Sequence, residues 1–361
     1  MVDSDEYKNE LKALEEMIAE QPKDADIHNS KGNLLVKMGL DTDAIKEYEI
    51  AIELDPKAPG YYYNKGIAMQ NLKNNVGAII AYEKAIALNP DDPNFHFNRA
   101  VALGDVKRWN DSVKEYNEAI RLDPQNPKYY LNKGYDLARL QCFKEAIDEY
   151  NKAIKLDPGD SIYYLDKGIA LMALEEHKDA LSAFGKSIEL DPDNYQSHFY
   201  KGEALDELNL YGEAIREYDI PIKFNYNRVA SHYNKGLVLL KLGRNDEAVN
   251  EFNIAIKLNP NFLESYYNNA VALKHLGRYD EALKNINVVY NPNEVEPFTI
   301  YVELMYLLGR DGEIKKAFSE AFEERNITKE EISEELNNQL NGNNSRHEEK
   351  AIKKIIKLYC K

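Results

Sequence analysis

The sequence repeats itself every 34 residues. A small residue recurs as Gly32, Gly66, Ala100, Gly134, Gly168, Gly202, Gly236 and Ala270, with no insertion or deletion across the eight copies. In step with it run a second small column, Ala44, Ala78, Ser112, Ala146, Ala180, Ala214, Ala248 and Ala282, and a bulky one, Tyr48, Tyr82, Tyr116, Tyr150, Phe184, Tyr218, Phe252 and Ile286. Copies close on Leu-Asp-Pro or Leu-Asn-Pro, at Pro56, Pro90, Pro124, Pro158, Pro192 and Pro260. Such a period implies a linear array of units, each too small to bury its own apolar face without its neighbours. A 361-residue chain built this way needs no division into globular domains.

Residues 127–160 show what one unit is. Tyr130, Leu137 and Leu140, then Ile147, Tyr150, Ile154 and Leu156, recur at helical spacing and predict two amphipathic helices. The phase breaks between Gln141 and Lys144, which makes the turn. Gly134 and Ala146 are small because the helices cross closely there. Pro158 has no amide hydrogen and disfavours helix in Asp157, so the second helix stops.

Small residues at the eighth, twentieth and twenty-seventh positions, an aromatic at the twenty-fourth and proline at the thirty-second resemble the tetratricopeptide-repeat family. Counted from residue 25, eight repeats match and cover residues 25–296. Two departures stand out. The family's tryptophan at position four is Tyr or His here. Its leucine at position seven is basic in seven copies: Lys31, Lys65, Arg99, Lys133, Lys167, Lys201 and Lys235. The resemblance implies an all-α, right-handed superhelical solenoid that binds another protein and catalyses nothing. It also implies that the first helix of each repeat lines a concave groove.

Placed on the groove positions that the resemblance implies, the sequence offers three features. Position six reads Ser30, Asn64, Asn98, Asn132, Asp166, Tyr200, Asn234 and Asn268, similar to the asparagine ladder of the protein O-linked N-acetylglucosamine transferase. There the amides hold an extended peptide backbone, a task that suits a side chain with both donors and an acceptor. Positions five and nine give an apolar trough of Tyr63, Ile67, Phe97, Val101, Leu131, Tyr135, Leu165 and Ile169. The opposing reading has these side chains partly covered by the adjacent helix. In repeat six, Glu203, Asp206 and Glu207 share one helical face and would attract Lys or Arg. Of the lysine at position five and the asparagine at position nine that grip a C-terminal carboxylate in chaperone-binding members, the lysine is missing from every repeat and only repeat one has the asparagine, Asn33, which argues against that role.

The position-seven column reads as structural, its long stems covering apolar surface and its charges pairing with a neighbouring carboxylate. An anion-binding track is the alternative. His28, His96, His198 and His232 share position four with tyrosines, so they read as packing groups. Zinc needs about four ligands on one ion, and a column a repeat apart cannot converge. No phosphate loop, dinucleotide fingerprint, HExxH or nucleophile motif is present. The expectation is no enzyme, no cofactor and no metal.

The ends depart from the pattern. Residues 1–24 read as a capping helix with a stripe of Leu11, Leu14 and Ile18, residues 297–325 as a degenerate ninth repeat, and residues 326–361 as C-terminal helices. Thr328 and Glu331 form a capping box, and 337–345 is expected to be a loop. Residues 346–361 form a basic amphipathic helix with Ile352, Ile355, Ile356 and Tyr359 on one face. It either caps the array or docks in a groove. In repeat six, Pro221 replaces a small residue inside the second helix and Tyr226 replaces the terminating proline, giving a tolerated kink or a hinge.

A formal charge of −16 opposes binding to nucleic acid or anionic membranes. The opening MVDSDEYKNE lacks the basic and apolar regions of a secretion signal, and Cys142 and Cys360 make no motif, so a reducing cytoplasm is expected. Two functions remain open: a scaffold binding a peptide or helical segment of a partner protein, or a homo-oligomer formed by end-to-end stacking or by the C-terminal helix.

Overall fold

A computed structural model describes residues 4–291, 294–323, 328–340 and 346–359, and every regular element among them is an α-helix. The chain forms two compact units, Met1–Leu190 and Asp191–Lys361. The first opens with α1 (Ser4–Glu20). Five hairpins follow: α2 (Ala25–Lys37) with α3 (Asp41–Leu54), α4 (Pro59–Asn71) with α5 (Asn75–Leu88), α6 (Pro93–Asp105) with α7 (Trp109–Leu122), α8 (Pro127–Arg139) with α9 (Phe143–Leu156), and α10 (Ser161–Ala173) with α11 (His177–Leu190). The second holds α12 (Tyr195–Glu207) with α13 (Tyr211–Lys223), α14 (Arg228–Lys241) with α15 (Asn245–Leu258), α16 (Leu263–His275) with α17 (Tyr279–Val289), and α18 (Val295–Leu307) with α19 (Asp311–Glu323). It ends with α20 (Lys329–Leu340) and α21 (Arg346–Tyr359). Within each unit every hairpin packs on the next, and first helix touches first helix. That is a helical solenoid.

The periodic residues form a lock inside each hairpin. A methyl group added to Gly66 would lie 2.5 Å from the Tyr82 ring, and one on Gly236 would lie 2.7 Å from Phe252. The glycine is therefore a socket for the aromatic ring sixteen residues later. Tyr48, Tyr82, Tyr150, Phe184, Tyr218 and Phe252 are almost fully buried in these sockets. Each such ring contributes about 2–3 kcal/mol through removal of apolar surface from water.

The turn inside each hairpin needs one residue in the left-handed region. Glycine supplies it at Gly39, Gly243, Gly277 and Gly309. Lys73, Lys107, Gln141, Glu175 and Asn209 adopt it with φ near 60°, where a Cβ costs about 1 kcal/mol. Between hairpins the chain is extended at Asp55, Asn89, Asp157 and Asn259, as the following proline requires. Asp24, Asp92, Asn126 and Asp160 then cap the next helix by accepting backbone N–H bonds.

Repeat six keeps its helix. α13 runs through Pro221, which is buried in its last turn, and ends at Lys223. Asn225 and Asn227, both at positive φ, turn the chain where other repeats use proline. The division of the chain falls one hairpin earlier, after Leu190.

At the C-terminal end, Thr328 and Glu331 make the capping box. The Thr328 N–H donates to the Glu331 carboxylate at 2.8 Å, and the Glu331 N–H donates to the Thr328 hydroxyl at 3.2 Å. The expected loop at 337–345 is corrected in part. Residues 337–340 complete α20, because Leu336 and Leu340 extend its apolar face against the core, and 341–345 lie outside the described residues. α21 packs on α18 and α20 with Ile352 and Ile355 fully buried, and Tyr359 stacks on Phe318 at 4.7 Å. Beneath it Lys274 and Glu303 form a buried ion pair at 3.0 Å.

Candidate functional site

The position-six side chains lie on the first helices, all half-buried except the exposed Ser30, and four of the eight reach back one repeat. Asn64 donates to the Asn29 amide oxygen at 2.9 Å. Asn98 donates to the Tyr63 hydroxyl at 2.9 Å and Asn268 to the Tyr233 hydroxyl at 3.1 Å, each 35 residues away. Asn234 donates to Glu203 at 3.0 Å. Asn132 differs. The residue it would reach is Phe97, which has no acceptor, and its amide donates to the Lys128 carbonyl of its own helix at 2.8 Å. Asp166, in the same column, has its carboxyl pushed up to about 6 by burial, with the Asp160 charge adding to the effect.

The apolar trough is shallower than a free row of side chains. The Tyr63 ring lies 4.9 Å from Phe95, and Phe97 lies 5.1 Å from Tyr129, so each ring leans on the next hairpin. Ile67, Val101, Leu131 and Ile169 are half-buried, and Leu131 packs into the core between hairpins. Leu165 is 5% exposed and belongs to the core, not to an open trough. Tyr135, at 47%, stands in the open.

The acidic trio of repeat six is partly spent. Glu203 accepts from Asn234, and burial pushes its carboxyl up. Asp206 is bridged by Lys241 at 2.7 Å, and Glu207 is left exposed. On the first-helix side of α6 and α8 lies a cavity of about 410 Å³, with Val101, Asn132 and Tyr135 in its lining.

The basic column and the histidines prove to share a partner. Glu47, Glu115, Glu217 and Glu251 on the second helices each take His28, His96, His198 and His232 on one oxygen, at 2.6–2.8 Å. The other oxygen takes Lys31, Arg99, Lys201 and Lys235, at 2.7–2.9 Å. Burial raises Glu47, Glu217 and Glu251, but the bonds from His and Lys outweigh it and hold all three low. The signal was in the sequence, since every repeat with His at position four carries Glu nineteen residues later. The converse does not hold: repeat four has Tyr130 with Glu149, which pairs with Lys133 at 2.8 Å, while repeats two and five, with Tyr, have Ala81 and Ala183 there.

Among the described residues no cluster of three metal-binding side chains occurs, and no helix is long and apolar enough to cross a membrane.

Family profiles described as TPR repeat or tetratricopeptide repeat match residues 32–73, 74–106, 107–141, 127–160, 165–220 and 233–290. No curated protein sequence matches the chain. Solved structures do. The C-terminal part of a TPR repeat-containing protein from Cytophaga hutchinsonii is 17% identical, covering 66% of this chain and 97% of that one, with a TM-score of 0.56. A tetratricopeptide repeat protein from Parabacteroides merdae is 14% identical, with coverage of 69% and 99% and a TM-score of 0.53. The Pseudomonas aeruginosa protein pilF is 20% identical, with coverage of 58% and 96% and a TM-score of 0.50. At these identities the likeness is one of fold.

Proposed function

The chain belongs to the tetratricopeptide-repeat family, and we propose that it is a non-catalytic scaffold that holds an extended segment of a partner protein along its first-helix face. Repeats of this family are protein-interaction units. The observation that carries the finer reading is the position-six column. In Asn64, Asn98, Asn234 and Asn268 an amide hydrogen is used on the preceding repeat, which fixes the side chain's direction. Each amide also has a carbonyl oxygen, an acceptor for a peptide N–H, while in Asn98 and Asn268 the second N–H is already used on the Asn94 and Glu264 carbonyls of their own helices. Fixing these side chains before binding lowers the cost of ordering them.

The acidic body disfavours nucleic acid and anionic lipid as ligands, so the partner is protein, and the setting that fits is the cytoplasm. Because α21 is folded against α18, it acts as a cap on its own unit.

The test is binding of the full chain to an array of immobilised peptides, with light scattering at several concentrations to measure mass. Peptide binding weakened in Asn64→Ala and in Asn98→Ala, with helicity unchanged, supports the groove. No peptide binding together with concentration-dependent growth in mass supports the self-associating alternative instead.

A further inference from the structure

The third and fourth repeats break the pattern at three positions, and the three breaks meet at one place. Position ten is a buried apolar residue in the other copies, among them Ala68, Ala102, Ala170, Ala204, Val238 and Ala272. In repeat four it is Asp136, only 4% exposed. Position twenty is alanine everywhere except Ser112, which is fully buried and donates to the Ala100 carbonyl at 2.7 Å. Position twelve carries a side chain in every other copy and is Gly104 in repeat three. A methyl group on Gly104 would stand 3.2 Å from both Asp136 carboxylate oxygens, tighter than an ordinary contact. The missing side chain makes room for the carboxylate.

Asp136 lines the 410 Å³ cavity, and its Oδ2 atom has no hydrogen-bond partner. A buried carboxylate oxygen left unbonded is costly, about 1–3 kcal/mol or more when charged, and the apolar residues found elsewhere in the column avoid that cost. The walls are Trp109, Tyr116, Tyr135 and Val101. Aromatic faces and an aliphatic wall suit an alkyl stem ending in a cation. Of the two cations in the lining, the Arg139 guanidinium is held on Tyr135, lying over its ring at 4.9 Å and donating to its hydroxyl. Lys107 is an exposed residue of the hairpin turn. Asp105 adds a second, exposed carboxylate.

We propose that this cavity is an anchor pocket for a cationic side chain, lysine or arginine, of the bound segment, with the Asp136 carboxylate receiving the charged head. This rests on the groove reading, because Val101, Asn132 and Tyr135 belong both to the groove face and to the pocket. Burial, with the Asp105 charge, pushes the Asp136 carboxyl up against the smaller opposing effects of Ser112 and the Arg139 charge, so an arriving cation also shifts it towards its ionised form. Departures from the repeat pattern that leave a buried acid unmatched are understandable where function takes precedence over stability.

The full chain carries its own reporter, since Trp109 is its only tryptophan and lines the pocket. The probes are N-acetyl-arginine amide and N-acetyl-lysine amide. The neutral controls are N-acetyl-citrulline amide and N-acetyl-norleucine amide. At pH 7.5 the cationic probes should change Trp109 emission saturably, at least tenfold more tightly than the neutral ones. Asp136→Asn and Asp136→Ala should each weaken them tenfold or more, and Asp136→Ala should melt at or above the wild-type temperature. Equal binding of neutral and cationic probes, or unaltered binding by the two variants, overturns the anchor. So does a lower melting temperature for Asp136→Ala, which would make the carboxylate a satisfied structural group. Arrayed peptides that bind the chain without Lys or Arg enrichment, and equally in Asp136→Ala, overturn the anchor while leaving the groove. Saturable binding of the cationic probes by a chain that binds no arrayed peptide overturns the groove and keeps the pocket.

Discussion

Asp166→Asn should stabilise the protein at neutral pH and leave it unchanged in acid. Asp166 sits where most repeats carry asparagine, and burial raises its carboxyl from 3.8 to about 6, with the Asp160 charge adding to the effect. A raised carboxyl means that the folded state binds the proton more tightly than the unfolded chain. Between about pH 4 and 6 the folded state therefore holds more protons, and stability falls as pH rises. Below the unfolded value both states are protonated and nothing is lost. Above about 6 the loss is complete. The difference between about 6 and 3.8 is about 2 pH units. At about 1.4 kcal/mol per unit that sets an upper limit of about 3 kcal/mol. Water still reaches a half-buried side chain, so a gain of about 1–2 kcal/mol at pH 7.5 is the working expectation. Asparagine has the same shape and no charge, and Asn98 and Asn132 show that an amide fits the slot. Urea unfolding of wild type and variant at pH 4, 5, 6 and 7.5 measures the difference. A gain of equal size at every pH would refute the electrostatic argument, and so would a loss at pH 7.5.

Gly66→Ala should cost about 1 kcal/mol by thermal denaturation, because overpacking against the Tyr82 ring outweighs the better helix propensity of alanine. Gly185→Ala should gain about 0.5–1 kcal/mol in the same assay, since nothing lies within 4 Å of the added methyl. Replacing Lys107 or Gln141, both at positive φ, by glycine should stabilise the protein by up to about 1 kcal/mol each, read as a higher unfolding midpoint. His96 is raised mainly by its bond to Glu115, so its contribution is full below about pH 6.5 and fades as pH rises through the raised value. His96→Gln should flatten the fall in stability between pH 6 and 8 measured by denaturant titration.

The fold was legible because its period is strict. One count of 34 residues placed the small residues and bulky residue of each repeat and the terminating proline of most, and the sockets of Gly66 and Gly236 lie where that count puts them. What the period could not tell was how deep each side chain sits. Positions five and nine are equally apolar in sequence, yet Tyr135 stands in the open and Leu165 is buried. Depth depends on the neighbouring hairpin, whose residues lie 34 or more positions away. The C-terminal residues lacked a period altogether, and the loop expected at 337–345 overlooked the helix-compatible Leu336 and Leu340.

A periodic sequence also changes which residues carry information. In an ordinary domain a buried aspartate such as Asp136 is one unusual residue among many. Here seven other copies of the same slot state what the fold itself requires, and it requires a small or aliphatic side chain. The same comparison explains the paired changes at positions four and twenty-three, where histidine comes with glutamate. In those repeats the substitution is matched by a partner within the hairpin, so the network is structural. At Asp136 the matching changes are a glycine that clears space and a serine whose proton is already given to Ala100. Neither supplies a charge. The charge of Arg139 reaches Asp136, but its guanidinium is held on Tyr135 and makes no bond to the carboxylate, so the cation that would complete the set is expected from outside the chain, and Trp109 beside it offers the means to see it arrive.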